Sequence, residues 1–246
     1  MRIQMVEPSP DKFLTAQWRH LLMVNYAIDP AILTPLVPRG TELDKWNGTT
    51  YVSLVGFRFL DTRVKGWRIP FHVNFEEINL RFYVLRRDGD ACKRGVVFIK
   101  EIVPRLAIAT VARMVYNESY VTLPTRHRID EGSERSVRYE WRLRGRWNVL
   151  GARAQGEARP LREGEEAQFI SEHYWGYTRQ RDGGTMEYGV EHPTWKVWDA
   201  REPLVDVDIE ALYGRPFVDA LSQPPTSVFI ADGSEVAVRG GRRIVG

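Results

Sequence analysis

The stretch from Val73 to Met114 constrains this chain more than any other. It reads VNFEEINLRFYV, a polar turn, GVVFIKEIVPR, and then a run of helical character. Ile78, Leu80, Phe82 and Val84 alternate with Glu77, Asn79, Arg81 and Tyr83, the period of two that a sheet imposes on its strands. One face of this strand is therefore core and the other polar. In an open sheet the polar face meets water, whereas in a closed one it lines a cavity. Periodicity alone leaves Glu77 and Arg81 open between these.

Asp88-Gly89 marks an antiparallel hairpin into the segment from Val96 to Ile102. Strict alternation puts Lys100 on one face with Val96, Phe98 and Ile102, and Glu101 on the other with Val97 and Ile99. At least one of these charges is then poorly solvated, unless both sit at the wet end of the strand or pair with each other. Burial of that kind displaces pKa values and marks a candidate site. Pro104 suits a helix start, and Arg105 to Tyr116 is rich in small and apolar residues, a closely packed helix. Its first amides, with Arg105 beside them, favour an anionic group held near the end of the preceding strand.

The flanking chain reads mainly as short strands. Leu21 to Tyr26 suits one, and Asp29-Pro30 then starts a helix of about two turns, Asp29 as its cap and Pro30 at the first helical position. Tyr51 to Phe59 is nearly continuous in apolarity, so both of its faces are covered. Arg58 is the odd residue there, sharing a face with Val52, Leu54 and Gly56. It needs a partner or the exposed end of the strand. Val137, Tyr139, Trp141 and Leu143 alternate with charges in a half-buried strand, followed across Gly145 by Trp147 to Leu150. Short helices are expected from Glu163 to Ser171 and from Asp206 to Tyr213. Glu172 to Tyr177 and Met186 to Val190 read as paired strands, and Asp232-Gly233 as the turn of a final hairpin.

Composition narrows the function classes. A length of 246 residues, with no linker-like or repetitive tract, fits one large domain spanning residues 1–246. The 35 basic and 32 acidic residues leave a net charge of +3, and the basic ones are scattered, which argues against a nucleic-acid partner. The single Cys92 rules out an intrachain disulfide, fits a reducing compartment and is expected to be an exposed thiol in a polar loop. No segment approaches the ~18 apolar residues of a membrane span. The N-terminus lacks a signal-peptide core. A cytoplasmic protein without a membrane partner is expected. The histidines at 20, 72, 127, 173 and 192 form no metal-ligand spacing, and no GxSxG or GxGxxG motif occurs, so no metal and no cofactor are expected.

The runs TRVKGWRIPFHVNFEEINLRFYV, GVVFIKEIVPRLAIATVARMVYNESY, HYWGYT and SVFIADGSEVAV resemble the uncharacterised YqjF-like proteins, a domain-of-unknown-function family within the acetoacetate-decarboxylase-like superfamily. The resemblance runs over nearly the whole chain. It implies a mainly β fold with short flanking helices, an antiparallel cone-shaped β-barrel or curved double sheet enclosing a small-molecule cavity, with the polar face of the central strand turned inward. It also implies that Glu101 and Glu77 correspond to carboxylates of the decarboxylase pocket. Acetoacetate decarboxylase uses a Schiff-base lysine, and its motif runs from Arg-Glu to Pro-Lys-Lys. Here the matching stretch is Lys100-Glu101-Ile102-Val103-Pro104-Arg105-Leu106, and arginine cannot form the imine.

Three functions follow as expectations. The first is a binding protein for a small carboxylate or other polar organic ligand, with Arg58, Arg81, Lys100, Arg105 and Tyr116 as ligand-binding candidates. The second is a lyase, hydrolase or isomerase on a keto acid, with Glu77 or Glu101 as acid or base. The third is an interaction scaffold using hairpin edges to form a homo-oligomer.

Overall fold

The computed structural model describes residues 2–6, 12–104 and 119–244. Strands β1 (Arg2–Ile3), β2 (Lys12–Ile28), β3 (Glu42–Leu43), β4 (Thr50–Val64), β5 (Phe75–Asp88) and β6 (Ala91–Val103) come first. After residue 118 follow β7 (Tyr120–Thr122), β8 (Thr125–Asp130), β9 (Glu134–Leu143), β10 (Arg146–Gln155) and β11 (Arg159–Pro160). The last are β12 (Trp175–Arg179), β13 (Thr185–Glu191), β14 (Lys196–Asp206), β15 (Ser227–Arg239) and β16 (Arg242–Ile244). The fold is mostly β, with short helices at 30–33, 166–171, 209–213 and 218–221. Asp29 caps the first as expected, accepting from the Ala31 amide at 2.8 Å. Among the described residues no helix is long and apolar enough to cross a membrane.

All strands belong to one large curved sheet in the order β16-β13-β12-β6-β5-β4-β2-β15-β14-β10-β9-β8. It is mixed, because β1, β7 and β12 run parallel to β6. Since β13 also pairs with β15, hydrogen bonds run round a ring through β2, β4, β5, β6, β12, β13 and β15. The layer β8–β9–β10 folds over the outside of this ring. Leu22, Val24, Leu54, Ile78, Leu80 and Phe82 form one core with Val137, Tyr139, Trp141 and Leu150. Leu21, Met23, Val55, Phe57, Phe75 and Val96 turn to the other face of the ring and form a second core.

The irregularities of the sheet decide what faces inward. Along β6 the register with β5 jumps from Arg81↔Phe98 to Leu80↔Lys100, leaving Ile99 as an extra residue. A bulge of this kind inverts the side-chain parity beyond it. Glu101 therefore shares the inner face with Val96 and Phe98, and Lys100 is turned outward with Val97. This corrects the face assignment that strict alternation gave. A second bulge in β2, between Arg19 and Leu22, contains His20 at a φ of 56° and moves Leu21 and Met23 inward.

Two further expectations are overturned. No hairpin forms at Asp232-Gly233: β15 continues through it, paired along β2 from Ser227↔Asn25 to Arg239↔Lys12. Gly233 has a φ of 78°, and a Cβ there would lie 2.0 Å from the Trp18 carbonyl oxygen. The glycine thus serves a close approach of two strands rather than a turn. Cys92 lies in β6, not in an exposed loop, and is 2% exposed because the strand carries it inward. The helix expected after Pro104, with Arg105 and Tyr116, lies outside the described residues.

Candidate functional site

The inner face of the ring encloses a cavity. Its apolar wall comes from β-forming aromatic residues on adjacent strands, chiefly Trp18, Phe57, Phe59, Phe75, Phe98 and Trp195. Phe59 and Phe75 stack at 4.7 Å across β4 and β5. The cavity volume is about 120 Å³, well below the roughly 300–1,000 Å³ of pockets for drug-sized ligands. Only a molecule of a few heavy atoms matches that space.

Alternation along β5 delivers Glu77, Asn79 and Arg81 to this wall, and the β6 bulge adds Glu101 opposite Asn79. Glu77 is 3% exposed. Its carboxylate accepts from Asn79 Nδ2 at 3.0 Å and from the Tyr120 hydroxyl at 3.2 Å. Loss of water outweighs both bonds and the Arg81 charge, so the Glu77 pKa is pushed up to about 7. A carboxyl so placed exchanges a proton near neutrality.

Arg81 is the guanidinium of the cavity. Its Nη2 donates to the Ile170 carbonyl at 3.3 Å, and its Nε approaches the Tyr83 hydroxyl at 3.4 Å. Tyr83 is anchored in turn: its hydroxyl lies 2.5 Å from Ser53 Oγ, which donates to Asn25 Oδ1 at 2.6 Å. These neutral partners hold Arg81 in place without cancelling its charge, which acts on Glu77 across the same wall.

At the same end stand Ser171, the last residue of the 166–171 helix, and His173 just beyond it. His173 Nε2 lies 3.1 Å from Asp44 Oδ2, which also accepts from Arg94 Nε at 2.6 Å. Burial alone raises the Asp44 pKa, but the hydrogen bonds and charges of His173 and Arg94 outweigh it and hold the carboxyl below its usual range. Burial, and then the Arg94 charge, depress His173 to about 4 despite Asp44. The imidazole is neutral at physiological pH.

The structure thus brings Glu77, Arg81 and Glu101 together and separates the other candidates. Lys100 points out of the ring, and its ammonium donates to the Leu212 carbonyl at the end of the 209–213 helix. Arg58 also lies on the outer face of β4, across from Glu76. Glu76 is itself engaged by His127 Nδ1 at 2.5 Å and Thr125 at 2.6 Å. Arg105 and Tyr116 are among the residues not described. Sequence reasoning missed Asn79, Tyr120 and His173. Asn79 had a signal, since it shares the alternating face of Glu77 and Arg81. His173 had none, because its partner Asp44 is 129 residues away in the chain.

Comparison with solved structures places the fold. Acetoacetate decarboxylase of Legionella pneumophila superposes with a TM-score of 0.67 at 14% identity, covering 98% of this chain and 91% of that one. An acetoacetate decarboxylase-like enzyme from Sphingomonas wittichii RW1 gives 0.64 at 15% identity, covering 99% and 100%. The enduracididine biosynthesis enzyme MppR complexed with pyruvate gives 0.64 at 12%, covering 97% and 91%. At such identities the likeness is one of fold. In sequence, the uncharacterized protein YqjF of Bacillus subtilis is 34% identical over 82 residues, and the match spans 33% of this chain and 32% of that relative. The family DUF2071, described as an uncharacterized conserved protein, matches residues 15–235, so the chain belongs to the DUF2071 family.

Proposed function

We propose that the cavity binds a small organic acid of a few heavy atoms, with its carboxylate on Arg81. The observation that carries this reading is the Arg81 guanidinium, the one among the described residues on the wall of a largely aromatic cavity, held by neutral partners. In a low-dielectric space such a cation attracts an anion far more strongly than in water. The MppR structure in complex with pyruvate supports the reading, because a chain of similar fold accommodates a three-carbon keto acid. The cytoplasm, where such acids are abundant, is the compartment this reading assumes.

Imine chemistry is not part of the reading. Arg105 stands where the resemblance puts a lysine, and the sequence holds none between Lys100 and Lys196. A second reading, proton transfer on the bound acid, is favoured by Glu77, whose pKa of about 7 suits an acid or base at neutral pH.

The experiment is isothermal titration with pyruvate and propionate against the wild-type chain and Arg81→Met. Binding by the wild type, weakened at least about tenfold in the variant, is the expected result. Equal affinity in the two proteins would overturn the role of Arg81.

A further inference from the structure

The hydrogen bonds around His173 define its tautomer. Asp44 Oδ2, an acceptor that also takes the Arg94 Nε–H at 2.6 Å, faces Nε2 at 3.1 Å. The one proton of the neutral imidazole therefore sits on Nε2, and Nδ1 presents a lone pair. The ring is fixed between Tyr83 and Phe169, with centroids at 4.6 and 5.2 Å. His173 is 6% exposed, and its Nδ1 has no hydrogen-bond partner among the described residues. Asn79 repeats the pattern: its Nδ2 is committed to Glu77, and its buried Oδ1 has no partner among the described residues. So the cavity wall holds two buried groups that can only accept, beside the Arg81 cation and together with the Ser171 and Thr62 hydroxyls and the Trp18 indole N–H, which also have no partner among the described residues.

A buried acceptor left without a donor is unfavourable, and a ligand donor relieves it. Keto acids bring only acceptors. We infer that the cavity is built for a small 2-hydroxy acid, its carboxylate on Arg81 and its hydroxyl donating to Nδ1 of His173. An ammonium group also donates; the Arg81 and Arg94 charges oppose it at His173 and the Asp44 carboxylate favours it, so alanine is included in the titration to separate the two donors. This inference rests on the small-acid reading above and adds to it the hydroxyl and the residue that recognises it. A site that hydrogen-bonds a hydroxyl discriminates strongly against analogues without one.

The test is titration with lactate, pyruvate, propionate and alanine. Lactate binding at least about tenfold tighter than the other three is expected, and His173→Phe is expected to bring the lactate-to-propionate ratio to about one. Equal affinities for all the acids would overturn the inference and leave the small-acid reading standing, whereas no binding by any would overturn both. A lactate preference that survives in His173→Phe would remove His173 from the role. Should that variant not fold, the ¹⁵N resonance of His173 Nδ1 in the wild type decides: movement with lactate but not propionate supports the assignment, and the same response to both overturns it.

Discussion

The Tyr120 hydroxyl donates to the Glu77 carboxylate at 3.2 Å, tying the short strand β7 to β5 across β6. That bond favours the ionised carboxyl and opposes the much larger effect of burial. Removing it in Tyr120→Phe should raise the Glu77 pKa above about 7, by roughly half a unit to one unit. Carboxyl ¹³C shifts of Glu77 followed against pH would record the change. An unmoved titration would mean that the phenol does not act on Glu77 in solution.

Glu77 and His173 give opposite pH dependences of stability. The folded carboxyl holds its proton up to about 7, whereas the unfolded one releases it near 4.5, so the native state binds more protons in between. Stability from this group falls as pH rises through that window. His173 is depressed from 6.5 to about 4, so the native state binds fewer protons there, and stability falls as pH drops. Relative to wild type, Glu77→Gln should gain stability from pH 4.5 to 7, by on the order of 1–3 kcal/mol. His173→Phe should gain instead on acidification from 6.5 to 4. Denaturant midpoints across that range measure both, and parallel curves for the two variants would contradict the environments described.

The strands were legible in the sequence wherever apolar residues alternate, and β5 with its polar face of Glu77, Asn79 and Arg81 was read with the correct parity. What alternation cannot contain is an added residue. The bulge at Ile99 reverses every side chain after it, and so exchanged the positions expected for Lys100 and Glu101. The same limit applies at Asp232-Gly233, where the dipeptide that usually makes a hairpin turn lies inside a strand, against the Trp18 backbone. His173 is a third kind of case. Its tautomer and charge state depend on Asp44 and Arg94, brought near it only by the closing of the ring, and no local pattern records that.

Gly56 offers a test of how the outer layer packs on the ring. A Cβ at this position would lie 2.6 Å from Tyr139 Cδ2, in a ring that is fully buried and anchored through its hydroxyl to the His20 carbonyl at 2.8 Å. The phenol cannot retreat without breaking that bond. Gly56→Ala should destabilise the fold by about 1–3 kcal/mol, the usual effect of overpacking a filled core. Combining it with Tyr139→Leu should show strong coupling in a double-mutant cycle, because the clash depends on the ring. Additive losses in urea unfolding would place the strain elsewhere.

Among the described residues no lysine lines the cavity, and Lys100 lies on the other face of the sheet. Burial lowers its pKa, which by itself makes a lysine more nucleophilic. Position decides against reaction all the same, because the bulge turns the side chain out of the cavity and the Leu212 carbonyl holds the ammonium. A keto acid bound as proposed at Arg81 would therefore have the sheet between its carbonyl and this amine. Incubation with pyruvate and cyanoborohydride should leave Lys100 unmodified by peptide mass mapping. Lys100→Met should leave pyruvate affinity unchanged and alter stability by no more than about 1 kcal/mol, as a charge-assisted bond and a desolvation penalty vanish together. A pyruvate adduct specific to Lys100 would require the amine to reach the cavity, and with it the opposite register for β6.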